Sequence, residues 1–458
     1  MPFNRLQIAG VLGKYGQLSP LPPIPLKQRQ QKLLEFKREL LARKSEITEA
    51  MAGDLWRPSA ETLNFELRPL IGVISYLIKH LPKLCGKQRI SDSLSTFPSF
   101  SYTVAEPYGR VLVISCWNYP FLLALEPALG AYAAGNRVIL KIPSRSPRAM
   151  HLLISLIEDV FSTDEIMPLG NIMPLDEILK YRYDFIFCTG NQKLGKKVMH
   201  AAAEHITPLA LELGGKNPCI VAPGSNLKTA ARRIIWSKFI NAGQSCIAPD
   251  YLIVHRDLKS ELIIQLNKYI RKFYGDHPLE ELKIASMPDR ASYERICRLI
   301  SSGRLIVGGD RDPRRLAIEP TVIDQLSPDA EIFKYEVFGP VLPVMEFFSD
   351  EELLIHLKKR ERPLAVYCFG GSKFLHQNIR DNISAGSIVF NDAMIQFANC
   401  HFPFGGIGSS GFGSYHGKLT FETFCHRKPV MFKPSFPDLP PRYPDSPSLL
   451  KHLLGIKK

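Results

Sequence analysis

Two residues of this chain could carry nucleophilic and general-base chemistry. Cys246 lies in Asn-Ala-Gly-Gln-Ser-Cys-Ile-Ala-Pro-Asp, residues 241–250, whose glycine and polar residues predict a turn. Local dipoles could lower the pKa of this thiol from about 8.5 and make it a nucleophile, although most cysteines are inert core residues. Glu212 lies among apolar residues in Leu-Glu-Leu-Gly-Gly-Lys. Desolvation there would raise its pKa and suit it to general-base work, whereas pairing with a nearby Lys or Arg is the alternative.

Three further polar residues could bind an oxyanion or a ligand. Asn118, in Trp-Asn-Tyr-Pro, follows a predicted strand, at the edge where α/β sheets place their sites, and its amide could donate to an oxyanion. Lys141 ends the next predicted strand, and Glu336 precedes Val-Phe-Gly-Pro. Each of these two could contact a ribose. Taken singly, an Asn in a turn and a Lys or Glu at the surface need no function.

Two glycine-containing segments could bind phosphate. Residues 406–411, Gly-Ile-Gly-Ser-Ser-Gly, match the fingerprint G-x-G-x-x-G, which requires a preceding strand and a following helix. Pro403 precedes the match and further glycines follow it, so we expect a glycine-rich loop near a site instead. Residues 189–195, Thr-Gly-Asn-Gln-Lys-Leu-Gly, follow a predicted strand and open a predicted helix. Free backbone N–H groups there would point at an anion. Many βα turns contain glycine, however, so this pattern by itself is not specific for phosphate.

Short apolar strands alternate with helices along most of the chain, which predicts parallel, doubly wound sheets. Two amphipathic helices, at 25–55 and 60–80, come first. The first series contains strands 111–114, 138–140 and 185–187 and helices 121–134, 147–160 and 192–203. The second series contains strands 219–221, 251–254, 364–369 and 387–390 and helices 226–240, 257–272 and 350–358. We therefore predict two α/β domains joined near residue 214, with extra strands near 98–106 and 427–433.

The composition excludes several classes of protein. The 458 residues are 45% hydrophobic, enough for a sizeable core, so a disordered or collagen-like chain is excluded. The net charge is +14, yet Lys and Arg are scattered, so we expect no nucleic-acid partner and favour a basic surface for anionic ligands or lipids. The nine cysteines form no C-x-x-C pair and no zinc-finger spacing with His, so we expect no metal site.

The two ends of the chain bear on its location. The first residues, MPFNRLQIAG, lack the apolar core of a signal peptide, and no apolar run reaches the ~18 residues of a membrane-spanning helix. We expect a soluble, cytoplasmic protein with reduced thiols. Residues 434–448 are rich in Pro and Ser and are expected to be extended. The final basic stretch, SLLKHLLGIKK, could contact a membrane surface, pack on a neighbouring subunit or stay unstructured.

Taken together and in order, several segments resemble the aldehyde dehydrogenase superfamily. The resemblance extends from about residue 28 to residue 430, and segments that co-occur in order are far more specific than any one alone. Gly-Ser-Tyr-His-Gly-Lys, residues 413–418, points to the shorter class 3 branch, which acts on fatty and aromatic aldehydes. The other matching segments are Cys-Trp-Asn-Tyr-Pro at 116–120, Leu-Glu-Leu-Gly-Gly-Lys-Asn-Pro at 211–218, Gly-Gln-Ser-Cys-Ile-Ala-Pro-Asp-Tyr at 243–251, Glu-Val-Phe-Gly-Pro at 336–340 and Pro-Phe-Gly-Gly-Ile-Gly at 403–408.

The resemblance implies NAD(P)-dependent oxidation of an aldehyde to a carboxylic acid. Cys246 matches the family nucleophile, whose thiolate attacks the aldehyde carbonyl. The oxyanion would then meet the side-chain amide of Asn118 and the backbone N–H of Cys246. Hydride passes to NAD or NADP and leaves a thioester, and Glu212 would activate the water that hydrolyses it.

The resemblance also implies contacts for the cofactor and the substrate. The matching cofactor residues are Lys141 and Glu336 for ribose, Gly190 and Gly195 for the phosphate turn, and Phe404 near the nicotinamide. Asn191 stands where the family usually has Ser and keeps a hydrogen-bond donor. Tyr119, Met394 and Phe397 match or adjoin residues of the substrate funnel, which suggests apolar aldehydes. Ordinary core packing would explain these three side chains equally well.

One departure from the family pattern bears on the cofactor. The family usually has Lys-Pro-Ser-Glu, whose Glu binds the adenosine ribose, but residues 141–145 read Lys-Ile-Pro-Ser-Arg. The carboxylate is lost and Arg145 is gained, which should favour a 2′-phosphate. We therefore expect NADP to be used at least as well as NAD. Tyr335 in place of the first of two glutamates is a milder departure, because Glu336 remains.

The resemblance implies two doubly wound, Rossmann-like α/β domains with a small strand extension for oligomerisation. Residues 1–214 would form the cofactor-binding domain, interrupted by an extension strand at about 98–106, and residues 215–420 the catalytic domain. Residues 421–433 would supply the oligomerisation strand and residues 434–458 a Pro-rich tail. We expect a homodimer, because exposed strand edges are usually covered by a partner.

Two alternatives stay open. In an acylating, CoA-dependent relative or a fatty-acyl reductase, coenzyme A rather than water would take the acyl group. Glu212 argues against that branch, which needs no hydrolytic base. A catalytically silent relative could act as a binding or structural protein, but Asn118, Lys141, Glu212 and Cys246 are all present.

Overall fold

The computed structural model describes residues 8–10, 12–13, 22–93, 96–327, 329–437 and 443. Its strands, numbered in chain order, form a three-stranded, a six-stranded and a seven-stranded sheet and one two-stranded ribbon. Of the expected tail at 434–458, the structure describes only residues 434–437 and 443. The basic terminal stretch lies outside the described residues. Within the described parts of the chain, no helix has both the length and the apolar character needed to cross a membrane.

A small antiparallel sheet stands apart from the two larger ones. It contains β1 (Gln88–Ile90), β2 (Phe100–Pro107) and β18 (Cys425–Phe432). The long strands β2 and β18 pair along their whole length, from Pro107 opposite Cys425 to Phe100 opposite Phe432. The two extra strands predicted near 98–106 and 427–433 therefore form one sheet, although they are far apart in the sequence.

The six-stranded sheet is built from apolar runs of the N-terminal half. Its parallel strands are β3 (Arg110–Ile114), β4 (Arg137–Lys141), β5 (Ile166–Leu169), β6 (Phe185–Gly190) and β7 (Leu209–Leu213), in the order β7-β6-β3-β4-β5. Strand β17 (Gly411–Phe412) adds antiparallel to β7. The helices of this half are Leu26–Ala42, Lys44–Leu55, Ser59–Thr62, the π-helical turn Leu63–Leu67, Arg68–Cys85, Pro120–Ala134, Pro147–Val160, Leu175–Ile178 and Gln192–Ala203. Because helices cover the sheet, β3 is buried along its whole length.

The seven-stranded sheet is built from the second half of the chain. Its strands are β8 (Pro218–Val221), β9 (Tyr251–His255), β10 (Arg304–Val307), β13 (Thr321–Asp324), β14 (Val341–Phe347), β15 (Ala365–Phe369) and β16 (Ser387–Phe390). Their order is β10-β13-β14-β9-β8-β15-β16, parallel except for β10, and β11 (Arg311–Asp312) pairs with β12 (Ala317–Ile318) as a ribbon. The helices are Leu227–Phe239, Lys259–Tyr274, Arg290–Ile300, Glu331–Lys334, Asp350–Lys358, Lys373–Asn382 and Leu419–Glu422, with 3₁₀ turns at Ile240–Gly243, Arg256–Leu258, Ile395–Ala398 and Gly408–Ser410.

The predicted α/β fold with doubly wound parallel sheets is confirmed, but several elements differ from the prediction. The sequence pattern does not predict β5, β7, β10, β13 or β14. Strand β7 contains Glu212 and β14 contains Pro343, residue types that a local pattern places outside buried strands. The helix predicted at 25–55 is broken at Arg43, whose backbone angles (φ −97°, ψ 22°) leave the helical region.

The end of the predicted second segment, residues 215–420, contacts the six-stranded sheet. Strand β17 pairs with β7 of that sheet. After it, Tyr415, Phe421 and Phe424 pack into the core that also contains Phe187, and the Tyr415 ring lies 5.1 Å from that of Phe187. These aromatic side chains thus fill the core over β6.

Candidate active site

The turn that carries Cys246 has a strained backbone. Asn241 and Ala242 both have positive φ, 51° and 53°. Gly243 follows with φ 72°, and a Cβ on it would lie 2.3 Å from a backbone carbonyl oxygen of the neighbouring segment. Strain of this kind persists only where surrounding contacts hold it, and it is common at functional sites. Tertiary contacts therefore set the shape of this turn.

Asn118 lies directly against this turn. Its side chain is 2% exposed, and its Nδ2 donates to the Gln244 carbonyl oxygen over 2.9 Å. The Asn118 carbonyl in turn accepts from Nδ2 of Asn241 over 3.0 Å. A carboxamide has two N–H groups, so one N–H of Asn118 is held and the second is left for another acceptor. The fold thus brings the predicted oxyanion donor to the segment of the predicted nucleophile.

The environment of the Cys246 thiol disfavours its thiolate form. Burial raises its pKa, and the carboxylates of Glu336 and Glu212 raise it further. This direction is opposite to the lowering by local dipoles considered from the sequence. Loss of water and the two nearby carboxyl groups outweigh the backbone N–H that favours the thiolate. Reaction at this sulfur therefore requires a base to take the thiol proton.

Glu212 is a buried carboxyl on β7. It is 3% exposed, and within the described part of the chain neither carboxylate oxygen has a hydrogen-bond partner. The pairing with Lys or Arg that the sequence left open is not what the structure has. Burial raises the pKa of Glu212 well above its usual value, and the negative charge of Glu126 adds to that rise. An unpaired carboxyl with a raised pKa has the properties of a general base.

Lys141 and Glu336 both lie at the carboxyl edge of the first sheet, where α/β folds bind ligands. Lys141 ends β4 and donates to the Gly170 carbonyl, and burial lowers its pKa. The Glu336 carboxylate packs against Gly214, just after β7, where a Cβ would lie 2.1 Å from Oε2. Burial raises the pKa of Glu336 to about 8, with a further contribution from Asp250.

The predicted phosphate turn joins β6 to the helix Gln192–Ala203. Asn191 is the N-cap, and its Oδ1 accepts from the backbone N–H of the third helical residue over 2.9 Å. The amide N–H groups of Asn191 are left as donors. A Cβ on Gly195 would lie 3.0 Å from a side chain of β7, so glycine lets the helix pack closely on the sheet. The helix N-terminus opens at the same edge as Lys141, in a geometry that suits an anion.

The segment 406–411 forms the short turn Gly408–Ser410 and then enters β17. The expectation of a glycine-rich loop without a phosphate-binding helix is confirmed.

Arg145 follows β4 with its side chain 55% exposed. Its Nε lies 3.4 Å from Oδ2 of Asp289, which also caps the helix Arg290–Ile300. The positive charge expected to meet a 2′-phosphate is therefore shared with a carboxylate of the second domain.

An apolar cavity of about 150 Å³ is lined by residues of 386–388 and 396–405, with Leu364 and His416. Phe397 and Phe404 line it, with ring centroids 5.1 Å apart, and His416 contributes to its wall. Of the three residues predicted for a substrate funnel, Phe397 thus faces this cavity. Tyr119 and Met394 are buried in the core next to it.

Two buried ion pairs near the site are not predicted from the sequence. Arg57 pairs with Glu66, and Nδ1 of His416 pairs with Oε1 of Glu126 over 2.9 Å. Burial lowers the pKa of His416, but the hydrogen bond and charge of Glu126 outweigh this, so its pKa is raised. A carboxylate within the apolar run 121–134 is a signal that could have revealed Glu126. Arg57 has no comparable local signal.

Comparison with known proteins places this arrangement in a family. Residues 18–430 match the family model described as aldehyde dehydrogenase family. Aldehyde dehydrogenase family 3 member A2 of Macaca fascicularis is 36% identical over 410 residues, which cover 89% of this chain and 84% of that protein. The 4,4'-diaponeurosporen-aldehyde dehydrogenase of Staphylococcus aureus is 36% identical over 408 residues, 88% of this chain and 89% of that protein. A solved structure of Staphylococcus aureus AldH, described as substrate-bound, has a TM-score of 0.91 at 32% identity and covers 98% of this chain and 97% of that one.

The fold and the matches define an α/β oxidoreductase. The chain belongs to the aldehyde dehydrogenase family, and the resemblance to its class 3 branch is confirmed by relatives that are family 3 members. It is an aldehyde dehydrogenase that uses NAD or NADP. Its own residues fit such a dinucleotide, because a glycine turn, a helix N-terminus and the half-buried carboxyl of Glu336 line one sheet edge.

Proposed function

We propose that this chain oxidises apolar aldehydes, medium- or long-chain aliphatic or aromatic, to carboxylic acids through Cys246. The observation that carries the proposal is the hydrogen bond from Asn118 Nδ2 to the carbonyl of Gln244, two residues before the sulfur. It puts a carboxamide donor beside a potential nucleophile. The aromatic lining of the adjacent cavity supports an apolar substrate.

The first half of the reaction uses Cys246 and Asn118. The thiol proton passes to water, the sulfur forms a bond to the aldehyde carbon, and the carbonyl oxygen becomes an oxyanion. The free N–H of Asn118 and the backbone N–H of Cys246 donate to that oxyanion. When bound, NAD or NADP would supply the acceptor for the hydride that leaves the former aldehyde carbon. Cys246 then holds the acyl group as a thioester.

The second half uses Glu212. Its carboxylate takes a proton from water as the water oxygen attacks the thioester carbonyl. The same donors, Asn118 and the Cys246 N–H, stabilise the second oxyanion. The C–S bond then breaks, the carboxylic acid leaves, and the sulfur is free to react again. Burial of Glu212 without a hydrogen-bond partner among the residues that the structure describes supports this role.

Several residues are proposed to hold the cofactor. Lys141 and Glu336 bind ribose hydroxyls, the turn 190–195 with its Asn191 amide binds phosphate, and Phe404 packs near the nicotinamide. NADP is used at least as well as NAD, because Arg145 adds positive charge after β4. Asp289 lowers this advantage without removing it, since the pair is partly exposed and screened by water.

We also propose a cytoplasmic homodimer. Within the described residues β18 has a sheet neighbour on one side only, and Phe100, Met431 and Phe432 are exposed on this small sheet. An open strand edge with apolar side chains favours a second copy. All nine cysteines are free thiols, which suits a reducing compartment.

The experiment that tests the reaction follows the near-ultraviolet absorbance of reduced cofactor. The full chain is mixed with NAD or NADP and either a medium-chain aliphatic aldehyde or benzaldehyde, with Cys246→Ala as control. We expect reduction without coenzyme A and none by the variant. Reduction only after coenzyme A is added would replace the hydrolytic mechanism by the acylating one. Cofactor binding without turnover of any aldehyde would indicate a catalytically silent relative.

A further inference from the structure

A fully buried ion pair lies behind the proposed oxyanion donor. Arg57 Nη1 and Glu66 Oε1 are 2.5 Å apart, and both side chains have no exposed surface. Glu66 belongs to the π-helical turn Leu63–Leu67, a form that often occurs at functional sites. A buried ion pair is costly to desolvate, and further hydrogen bonds must offset that cost. The other hydrogen-bond partners of Arg57 and Glu66 therefore show which segments the pair holds in place.

The guanidinium of Arg57 contacts both loops of the active site. Its Nε donates to Oδ1 of Asn241 over 3.0 Å, and its Nη2 donates to the carbonyl oxygen of Asn118. It also lies 4.9 Å from the centre of the Tyr119 ring. One planar group thus joins the loop of the oxyanion donor to the turn of the nucleophile. A lysine ammonium, a single point of charge, cannot present donors in this fork.

Glu66 holds the other side of the same loop. Its Oε2 accepts from the backbone N–H groups of Phe121 and Leu122, over 2.8 and 3.3 Å, in the first turn of the helix Pro120–Ala134. A carboxylate at a helix N-terminus is favourable both as a cap and by charge. The loop that carries Asn118 is therefore held by the arginine at its carbonyl and by the glutamate at the helix that follows.

Asn241 connects Arg57 to the groups that would meet the substrate. Its Nδ2 donates to the carbonyls of Asn118 and Gln244, over 3.0 and 3.2 Å. The Gln244 carbonyl is also the acceptor for Asn118 Nδ2. The backbone N–H of Asn241 donates to Oε2 of Glu61 over 2.9 Å. Because Arg57 Nε fixes the Asn241 carboxamide, it fixes both loops at once.

We infer that Arg57 is a positioning residue for the oxyanion site, an inference that rests on the proposed function. Arg57 acts through Asn118 and Asn241 and sets the distance between the carboxamide donor and the nucleophile turn. Donors of an oxyanion site contribute because they are held in place before the reaction. A misplacement of about 1 Å can cost on the order of 10²-fold in rate.

The test compares Arg57→Lys with Arg29→Lys. Arg29 is a matched control, because it is also buried and donates to a backbone carbonyl, that of Ala133, at the far end of the same helix. We expect Arg57→Lys to lower kcat by about 10- to 100-fold. Aldehyde KM, cofactor Kd and the rate at which iodoacetamide alkylates Cys246 should stay within about twofold. Alkylation forms a C–S bond and breaks a C–I bond at a CH₂ group. Because no oxyanion forms in this reaction, it needs no oxyanion donor.

A double variant shows whether Arg57 acts through Asn118. If it does, Arg57→Lys in an Asn118→Ala background causes no further loss, whereas independent roles give multiplied losses. Three outcomes would each overturn the inference. They are multiplied losses in the double variant, alkylation slowed in proportion to kcat in Arg57→Lys, and an unchanged kcat in Arg57→Lys. If Arg57→Lys does not fold, Asn241→Gly replaces it, because glycine accepts φ 51° and removes only the connecting side chain. Activity that survives Cys246→Ala would contradict the proposed function itself, not the role of Arg57.

Discussion

At the scale of single residues, burial shifts the titratable groups of the site towards their neutral forms. Burial raises the pKa values of Cys246, Glu212 and Glu336, and it lowers that of Lys141. A site with few stable charges suits an apolar aldehyde. It also makes the reaction depend on pH, because the proposed nucleophile and base must both lose a proton.

The pH profile of kcat should depend on Glu212. A base acts as the carboxylate, and a raised pKa moves the carboxylate population to higher pH, so kcat rises from acid to alkaline pH. Glu212→Gln should lower steady-state kcat by about 10²- to 10⁴-fold and remove this part of the rise. The initial burst of reduced cofactor should remain, because the acyl group still forms on Cys246. Stopped-flow absorbance measures the burst amplitude and the steady-state rate. Loss of the burst in Glu212→Gln would place Glu212 in the first half of the reaction.

Cofactor preference should respond to charge beside β4. We expect Arg145→Glu to lower the ratio of kcat/KM for NADP to that for NAD by about 10- to 100-fold, the usual value of one hydrogen bond to a charged group. Asp289→Asn should raise the ratio, because it releases Arg145 from its 3.4 Å contact. Initial rates with each cofactor give the ratio. An unchanged ratio in Arg145→Glu would remove this residue from the cofactor site.

At the scale of elements, turns bring the reactive groups together. Asn118 lies between β3 and the helix Pro120–Ala134, and Cys246 lies between the turn Ile240–Gly243 and β9. Each side chain is positioned by backbone whose contacts come from another part of the chain. The shape of these turns should therefore matter more for activity than for stability.

Gly243 and Gly224 offer a matched pair for testing the nucleophile turn. Both have positive φ, 72° and 83°, but a Cβ on Gly243 would lie 2.3 Å from a backbone oxygen, whereas a Cβ on Gly224 would have open space. Gly224→Ala should cost only the backbone strain, about 1–2 kcal/mol, and keep its kcat. Gly243→Ala should lower kcat by at least about 10²-fold, because the turn must move. Thermal unfolding and aldehyde oxidation of both variants test this, and equal kcat values would show that the turn tolerates displacement.

At the scale of the whole molecule, two parallel sheets share one chain that crosses between them. The N-terminal half and the segment from Gly411 onward build the six-stranded sheet and the core packed on it, and β1, β2 and β18 form a separate small sheet. We propose that a second copy covers the open edge of this sheet.

The small sheet should therefore control the oligomeric state. Phe432→Glu in β18 is compared with Phe374→Glu on the helix Lys373–Asn382, because the two side chains are similarly exposed, 59% and 55%. We expect Phe432→Glu to weaken the dimer by about 10- to 100-fold, as for a central apolar interface residue, and Phe374→Glu to leave it intact. Sedimentation velocity over a range of concentrations measures this. A dimer of unchanged strength in Phe432→Glu would move the interface elsewhere.

The local sequence determined the residue types of the site and most of the strands that carry them. Runs such as 111–114 and 138–140 are apolar enough to be buried in any compact fold, so β3 and β4 were predictable. The neighbours of Cys246 and Asn118 predict turns, but the strand that carries Glu212 was not predicted, and the roles of all three residues came from the family resemblance. The order of such segments was sufficient to identify the family.

Only the tertiary structure determined the contacts and electrostatic surroundings of these residues. The direction of the Cys246 pKa shift, the contact of Asn118 with the nucleophile turn and the pairing of Arg145 with Asp289 all depend on groups far away in the chain. Arg57 looks like a surface arginine beside Pro58, yet it is among the most buried side chains of the protein. Burial and charge are properties of the assembled fold, because they are set by which distant segments exclude water from a given atom.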